Sequence, residues 1–425
     1  PRTLRQRFAE VYRRVSGDDS EEGLTALLAN VPNKLSEAID GLIGLARLAQ
    51  SEPALRALLE QQGADAVLER LDHTPGGPRF RQALQSLLAQ QGLRADAGAF
   101  TVRPGAQPGW GEQPALVITL VQRYVPQDLD ALEGARSRAV AARDARVETL
   151  RATIATAGDR ERFDALLDGA RREARAYEDH NYYIDAAAGA LLHRALMAAG
   201  RRLAGAGAIT EAADVRWLRL HEITAALQGL EEAPQATPAL PAGTPTGSAG
   251  GGRPAWASLV EARRELHAWQ RSLTPPAWAG AAPPPAAPII APAAAPGAEQ
   301  GGPAATRPPA PPEAIVQGQP GSAGTATGRV RLVPRDAQVP QVAPGDVLVA
   351  RNAGALWTPV FPVAAAVVLE EGSLLQHAML TCREYRVPGV YQAREATTRL
   401  QEGQRVTVDG ANGWVLPAPE AGADT

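Results

Sequence analysis

The chain has 425 residues, a formal net charge of −3, an apolar fraction of 45% and one cysteine, Cys382. That length allows two or three domains, each able to bury a core of its own. The charge leaves no basic stripe for nucleic acid and no polybasic patch for anionic lipid. One cysteine excludes an internal disulfide. There is no secretory h-region and no apolar run of about 18 residues, so a cytoplasmic protein without a membrane span is expected. Lys34 is the sole lysine, a pattern that fits a GC-rich genome, since arginine replaces lysine on most solvated surfaces. No G-x-x-x-x-G-K-[ST] run is present and no lysine lies beside glycines, so the chain is not expected to bind ATP by itself.

From residue 1 to about 230 the chain reads as helices. Apolar residues recur at three- and four-residue spacing, as in Leu35, Ile39, Leu42 and Ala46, or Leu84, Leu87 and Leu88. The Ala/Arg/Glu/Leu-rich stretch from Ala131 to Ala176 has no proline and suits one long helix, or two in line with a break near Gly158. Pro104 to Pro114 interrupts the pattern and reads as a surface loop carrying Trp110. The segment E-D-H-N-Y-Y-I-D (178–185) concentrates charge and rings in a chain that is only 4% aromatic. Asp179, His180 and Tyr183 are therefore candidates for orienting a substrate hydroxyl and taking its proton, with His180 and Tyr183 one helical turn apart. The structural alternative is a buried polar network between helices. Glu173, Arg175, His193 and Arg201 read as solvated or salt-bridging.

Pro, Gly, Thr and Ser dominate from Ala233 to Arg253, and a short helix with Leu259, Ala262, Leu266 and Trp269 follows, ending at Pro275-Pro276. From Gly280 to Pro312 the chain is almost entirely Ala, Pro and Gly, a composition that cannot bury enough apolar area to fold and suits an extended tether with a reach of roughly 100 Å. After Glu313 the period changes to short β-type runs, Arg329 to Val333, Val347 to Ala350, Ala366 to Leu369 and Arg405 to Val408, with one helix from about Leu375 to Tyr385 among them. The expected layout is multidomain: an all-α helical domain over residues 1–275, a flexible Pro/Ala/Gly-rich linker over 276–312, a small α/β domain over 313–417 and a disordered tail over 418–425.

His377 is the chemically pointed residue of the last part. A neutral imidazole nitrogen is nucleophilic near pH 7, and a phosphoimidazole is reactive enough to pass its group to an alcohol, enol or phenol. Gly372, in Glu371-Gly372-Ser373, permits a sharp turn and leaves room for a phosphate. His377 falls in the first turn of the expected helix, where free N–H groups and the dipole favour an anion. Ser373 and Gln376 would complete the surroundings of that phosphate.

The blocks G-S-A-G-T-A-T-G-R-V (321–330), P-G-D-V-L-V-A (344–350), W-T-P-V-F (357–361), the run from Ala365 to Val390 and G-Q-R-V-T-V-D-G-A-N-G-W-V (403–415) together resemble the mobile, swivelling phosphohistidine domain of the phosphoenolpyruvate-utilising enzymes. In that family the histidine of G-G-x-x-S/T-H-A-A-I-x-A-R-E is phosphorylated, which implies the role for His377. The sequence departs from the pattern at Ser373, Gln376 and Cys382; Cys382 reads as a small packed residue. More loosely, residues 1 to about 275 resemble the helical substrate-binding region preceding the histidine domain in rifampicin-phosphotransferase-like and phenylphosphate-synthase-like proteins, through 88–100, 110–114, 178–185 and 200–218, which implies a helical substrate-binding domain over 1–275. The resemblance implies a phosphotransferase component. Mg²⁺ and ATP would be bound by an ATP-grasp subunit or a domain outside this chain, His377 would carry the phosphoryl group, and the acceptor would be an organic hydroxyl compound, with Trp110 and Tyr183 as substrate contacts. No (β/α)₈ barrel follows the histidine segment, so phosphoenolpyruvate synthesis proper is not expected. Two alternatives stay open, a phosphorylation-driven dehydratase component and a non-catalytic binding or regulatory protein.

Overall fold

The computed structural model describes residues 3–95, 108–231, 255–272, 310–333, 342–374 and 376–418. The expected linker, apart from its last residues, and the tail beyond 418 lie outside the described residues. The chain divides into two compact units. One takes Pro1–Val102, Gln107–Ala190 and Gln300–Thr425, and the other Arg103–Ala106 and Leu191–Glu299.

The first unit opens with helices α1 (Leu4–Ser16), α2 (Glu21–Leu28), α3 (Lys34–Gln50), α4 (Pro53–Gln61), α5 (Ala64–Arg70), α6 (Gly77–Gln91), α7 (Pro114–Tyr124), α8 (Leu129–Thr153) and α9 (Ala157–His180). Local chemistry sets their ends. Thr3 and Gln6 form a capping box at α1, and Asn33 caps α3 by accepting from the amides of Leu35 and Ser36. The break between α8 and α9 falls at 154–156, where Thr156 accepts the Asp159 amide at 3.1 Å. Gly158 lies just inside α9, so a capping threonine rather than the glycine marks the stop. After His180 the helix widens into a π-type turn over Asn181–Ala186 before α10 (Ala187–Gly205).

The C-terminal part of the same unit is one eight-stranded sheet. Its strands are β1 (Val316–Gln317), β2 (Gln319–Ser322), β3 (Thr325–Leu332), β4 (Asp346–Ala350), β5 (Ala366–Leu369), β6 (Gly389–Tyr391), β7 (Arg405–Asp409) and β8 (Trp414–Pro417), in the order β1-β8-β7-β3-β4-β5-β6-β2. β3, β4, β5 and β6 run parallel, and the other pairs are antiparallel. Every residue of β4 and β5 is buried, as expected for parallel strands covered on both faces. Their alternation divides two cores. Val347, Val349, Ala366 and Val368 join Val330, Val406 and Val415 on one face. On the other, Leu348, Ala350, Val367 and Leu369 meet Phe361, Met379 and Cys382, in one continuous cluster with Leu42, Ala46, Val121 and Tyr124 of the helices. Full burial of a side chain such as Phe361 stabilises by about 2–3 kcal/mol. Arg123 donates to the Val342 carbonyl at 2.6 Å, and the Tyr124 hydroxyl donates to the Pro359 carbonyl.

Parallel strands need a crossover. Between β5 and β6 it is α13 (His377–Tyr385), reached from the C-terminal end of β5 through the loop 370–376; the short α14 (Ala396–Arg399) follows β6.

The second unit holds most of α10 with α11 (Leu220–Glu231) and α12 (Ala255–Ser272) around Leu203, Val215, Ile223, Leu259 and Val260. Glu222, almost fully buried, takes a bidentate pair from Arg263 at 2.6 and 2.7 Å. Leu266 and Trp269 of α12 are exposed. The stripe that packs is set by Leu259, Val260 and the Arg263 pair. No helix among the described residues is long and apolar enough to cross a membrane.

Candidate functional site

The loop from Glu370 to Gln376 carries the chain off β5 in a geometry that needs a glycine. Gly372 has φ +118°, and a Cβ there would come within 2.0 Å of Gln376 Oε1. Flanking contacts hold the loop. Glu370 accepts from the Thr397 amide and hydroxyl at 2.8 and 2.6 Å, Arg351 pairs with Glu371 at 2.5 Å, and Arg383 donates to the Leu374 carbonyl at 2.8 Å. His377 is the first residue of α13, with no side-chain cap on the helix. The amides of a first turn have no intrahelical acceptors, and the dipole there favours negative charge. Gln376 is the N-cap residue, but its amide is turned away, donating to Asn352 Oδ1 at 2.9 Å and the Ala353 carbonyl at 3.2 Å. Its donor is therefore engaged with the protein rather than free for a phosphate. Ser373 is exposed and gives its carbonyl to the Gln376 amide.

The His377 side chain is 22% exposed, and its Nδ1 lies 2.8 Å from Glu178 Oε2 in the last turn of α9. Burial pulls the imidazole down. The Glu178 hydrogen bond and negative charge outweigh it and hold the ring above its ordinary value, with Arg94 opposing and Asp185 assisting. A carboxylate on Nδ1 fixes the tautomer with the proton there and leaves the Nε2 lone pair free.

Glu178 also lines an open cavity of about 310 Å³ bordered by α1, α2, α3, α9 and α13. Its wall is mainly apolar, with Leu28, Val31, Leu35 and Leu380, and it carries Glu173, Glu178 and Glu384 as acidic groups and Arg5 and Arg175 as basic ones. Glu384 sits two turns along α13 from His377. Burial, opposed by the charge of Arg136 and aided by that of Glu178, pushes its carboxyl up to about 7. It accepts the Asn30 amide at 3.2 Å.

The neighbours of Glu178 have other positions. Asp179 accepts the Lys34 amide at 2.7 Å, capping α3, and pairs with Arg175 at 3.2 Å. His180 is 54% exposed and faces Asp185 at 3.5 Å. Tyr183 is 57% exposed. None of these three lines the cavity; Glu178, beside them in sequence, does. Trp110, expected on a surface loop, is buried. Its backbone N–H donates to the Arg94 carbonyl and that of Gly111 to the Gly92 carbonyl, each at 2.9 Å, and the Arg94 guanidinium lies 5.5 Å from its ring centre. His193, expected to be solvated or salt-bridging, is buried and accepts from Arg216 at 2.7 Å. Burial of Cys382 pushes its thiol up to about 12, which keeps it unreactive. Among the described residues no group of three or more acidic, histidine or cysteine side chains could hold a metal ion.

Two family models match separate stretches of the chain. Residues 342–413 match the family model of the PEP-utilising enzyme mobile domain, and residues 3–178 that of the rifampicin phosphotransferase fourth domain. Chondramide synthase cmdD of Chondromyces crocatus is 30% identical over 96% of the chain, which covers 10% of that protein. The uncharacterized phosphotransferase YvkC of Bacillus subtilis is 26% identical over 97% of the chain and 45% of its own length. A rifampicin phosphotransferase of Streptomyces sp is 27% identical over 92% of the chain and 41% of its own length. The chain thus spans less than half the length of each of these relatives. It carries a PEP-utilising mobile domain behind a helical region of the rifampicin phosphotransferase fourth-domain type.

Proposed function

We propose that the chain is the transfer part of a phosphotransferase, in which His377 accepts a phosphoryl group and passes it to an organic hydroxyl compound held in the cavity beside Glu178. The observation that carries this reading is the hydrogen bond from His377 Nδ1 to a carboxylate that also lines an apolar cavity. ATP and Mg²⁺ are assigned to an ATP-grasp subunit or domain outside this chain, in keeping with the relatives named phosphotransferases. In the first step Nε2 forms the N–P bond as the P–O bond to the nucleotide breaks. In the second, the acceptor oxygen forms a new P–O bond, the N–P bond breaks, and the hydroxyl proton ends on Nε2. The resulting imidazolium is stabilised by Glu178, the same interaction that raises the ring's basicity. The mainly apolar wall, in which Glu173, Glu178 and Glu384 are joined by Arg5 and Arg175, suits an acceptor that is largely apolar with a few polar groups.

Leu35→Trp, which fills the cavity from α3, tests the assignment. His377 should still take a phosphoryl group while discharge to hydroxyl acceptors falls by tenfold or more. Discharge equal to wild type would place the acceptor elsewhere, and an acceptor released without its hydroxyl would identify an elimination.

A further inference from the structure

Arg94 is a buried cation with no counter-ion among the described residues. It is 5% exposed, and among the described residues no carboxylate pairs with it. It donates to the Lys34 carbonyl at 2.8 Å and to Gln91 Oε1 at 3.2 Å, and its guanidinium lies 5.3 Å from the Tyr182 ring centre and 5.5 Å from that of Trp110. Burial brings its pKa down to about 10. Around it the donors exceed the acceptors. Arg94 Nε, Gln91 Nε2 and Trp110 Nε1 are all buried, and none has a hydrogen-bond partner among the described residues. Buried donors are nearly always satisfied, because leaving them unpaired forfeits their hydration. Three unsatisfied donors gathered at one guanidinium describe a site that lacks its acceptor.

The place of this cluster names the acceptor. Tyr182, on whose ring Arg94 packs, lies one turn beyond Glu178, whose carboxylate holds His377, and Lys34, whose carbonyl accepts from Arg94, gives its amide to Asp179 beside Glu178. Phosphoryl transfer depends on fixed cations and N–H donors aimed at the equatorial oxygens, where charge is spread in the transition state.

We propose that Arg94, with Gln91 and Trp110, binds the oxygens of the phosphoryl group carried on His377 and so acts as a catalytic residue of the transfer. This rests on the His377 reading above. A dianion also resolves the unpaired guanidinium, since the phosphoryl oxygens supply the missing acceptors and the missing charge together.

The test uses phosphoramidate, a small phosphoryl donor that needs no partner protein, on the full chain, followed by ³¹P NMR of the phosphoimidazole across pH. The second ionisation of a phosphoryl group ordinarily falls at about 6. Bound to Arg94 it should titrate lower in the wild type, and Arg94→Gln should raise the midpoint by about one unit, as expected for loss of an adjacent opposite charge. Trp110→Phe keeps the ring and removes only the donor. It should raise the midpoint by less, and it carries the test if Arg94→Gln does not fold. Midpoints equal to wild type in the folded variants would overturn the proposal. A wild type that takes no phosphate on His377 would overturn the underlying reading, and this one with it.

Discussion

At the scale of single residues the account turns on His377 and the carboxylate that meets it. His377 could be singled out from sequence because glycine, serine and a helix start surround it within a few positions. Glu178 could not. It stands in the E-D-H-N-Y-Y-I-D segment, whose composition marks it, but the choice among its acidic members depends on the rotation of α9 against α13, 199 positions away. Asp179 and His180 carried the more obvious chemistry, yet one caps α3 and the other is more than half exposed. The pairing makes a directional prediction. Glu178→Gln should lower the His377 pKa, read by NMR titration of the ring, whereas an unchanged midpoint would show that the contact does not govern it. In the wild type the ring's folded value lies above its unfolded value of about 6.5. The associated stability is therefore fully present below that pH and is lost as pH rises through the folded value.

At the scale of elements, β4, β5, β7 and α13 announce themselves through β-branched runs or apolar spacing. β1, β2, β6 and β8 do not. They are two to four residues long, and β2 is Gln-Pro-Gly-Ser, so only their partners define them. The π-type turn after α9 likewise leaves no local signature. Two predictions belong here. Gly372→Ala should destabilise the protein by about 1–2 kcal/mol in denaturant unfolding, since a Cβ at φ +118° is strained and meets Gln376. Glu384, faced by Arg136, Arg383, Glu178, Tyr385 and the Asn30 amide, has a carboxyl raised to about 7. Its neutral form is therefore favoured on folding, and the associated stability is fully present below the unfolded value of about 4.3 and lost as pH rises towards 7. Glu384→Gln should flatten that decline in thermal unfolding followed from pH 4 to 8. An equally steep decline in the variant would assign the pH dependence to other groups.

At the scale of the whole molecule, the two parts of the first unit share one apolar cluster, running from Leu42 and Tyr124 of the helices to Phe361 and Cys382. Periodicity assigns each segment its own buried face but says nothing of which face meets which, so this shared core was not legible in the sequence. The contrast between a helix-patterned first part and a strand-patterned last part was, and both family models fall within those parts. The Ala/Pro/Gly stretch lies outside the described residues apart from its last ones, and its reading as an extended tether comes from composition. The central claim, that His377 carries phosphate, is tested most directly by intact-mass measurement after incubation with ATP, Mg²⁺ and a lysate of the source organism. The account predicts an acid-labile, base-stable phosphate on the wild type and none on His377→Ala; the same phosphate on His377→Ala would contradict it.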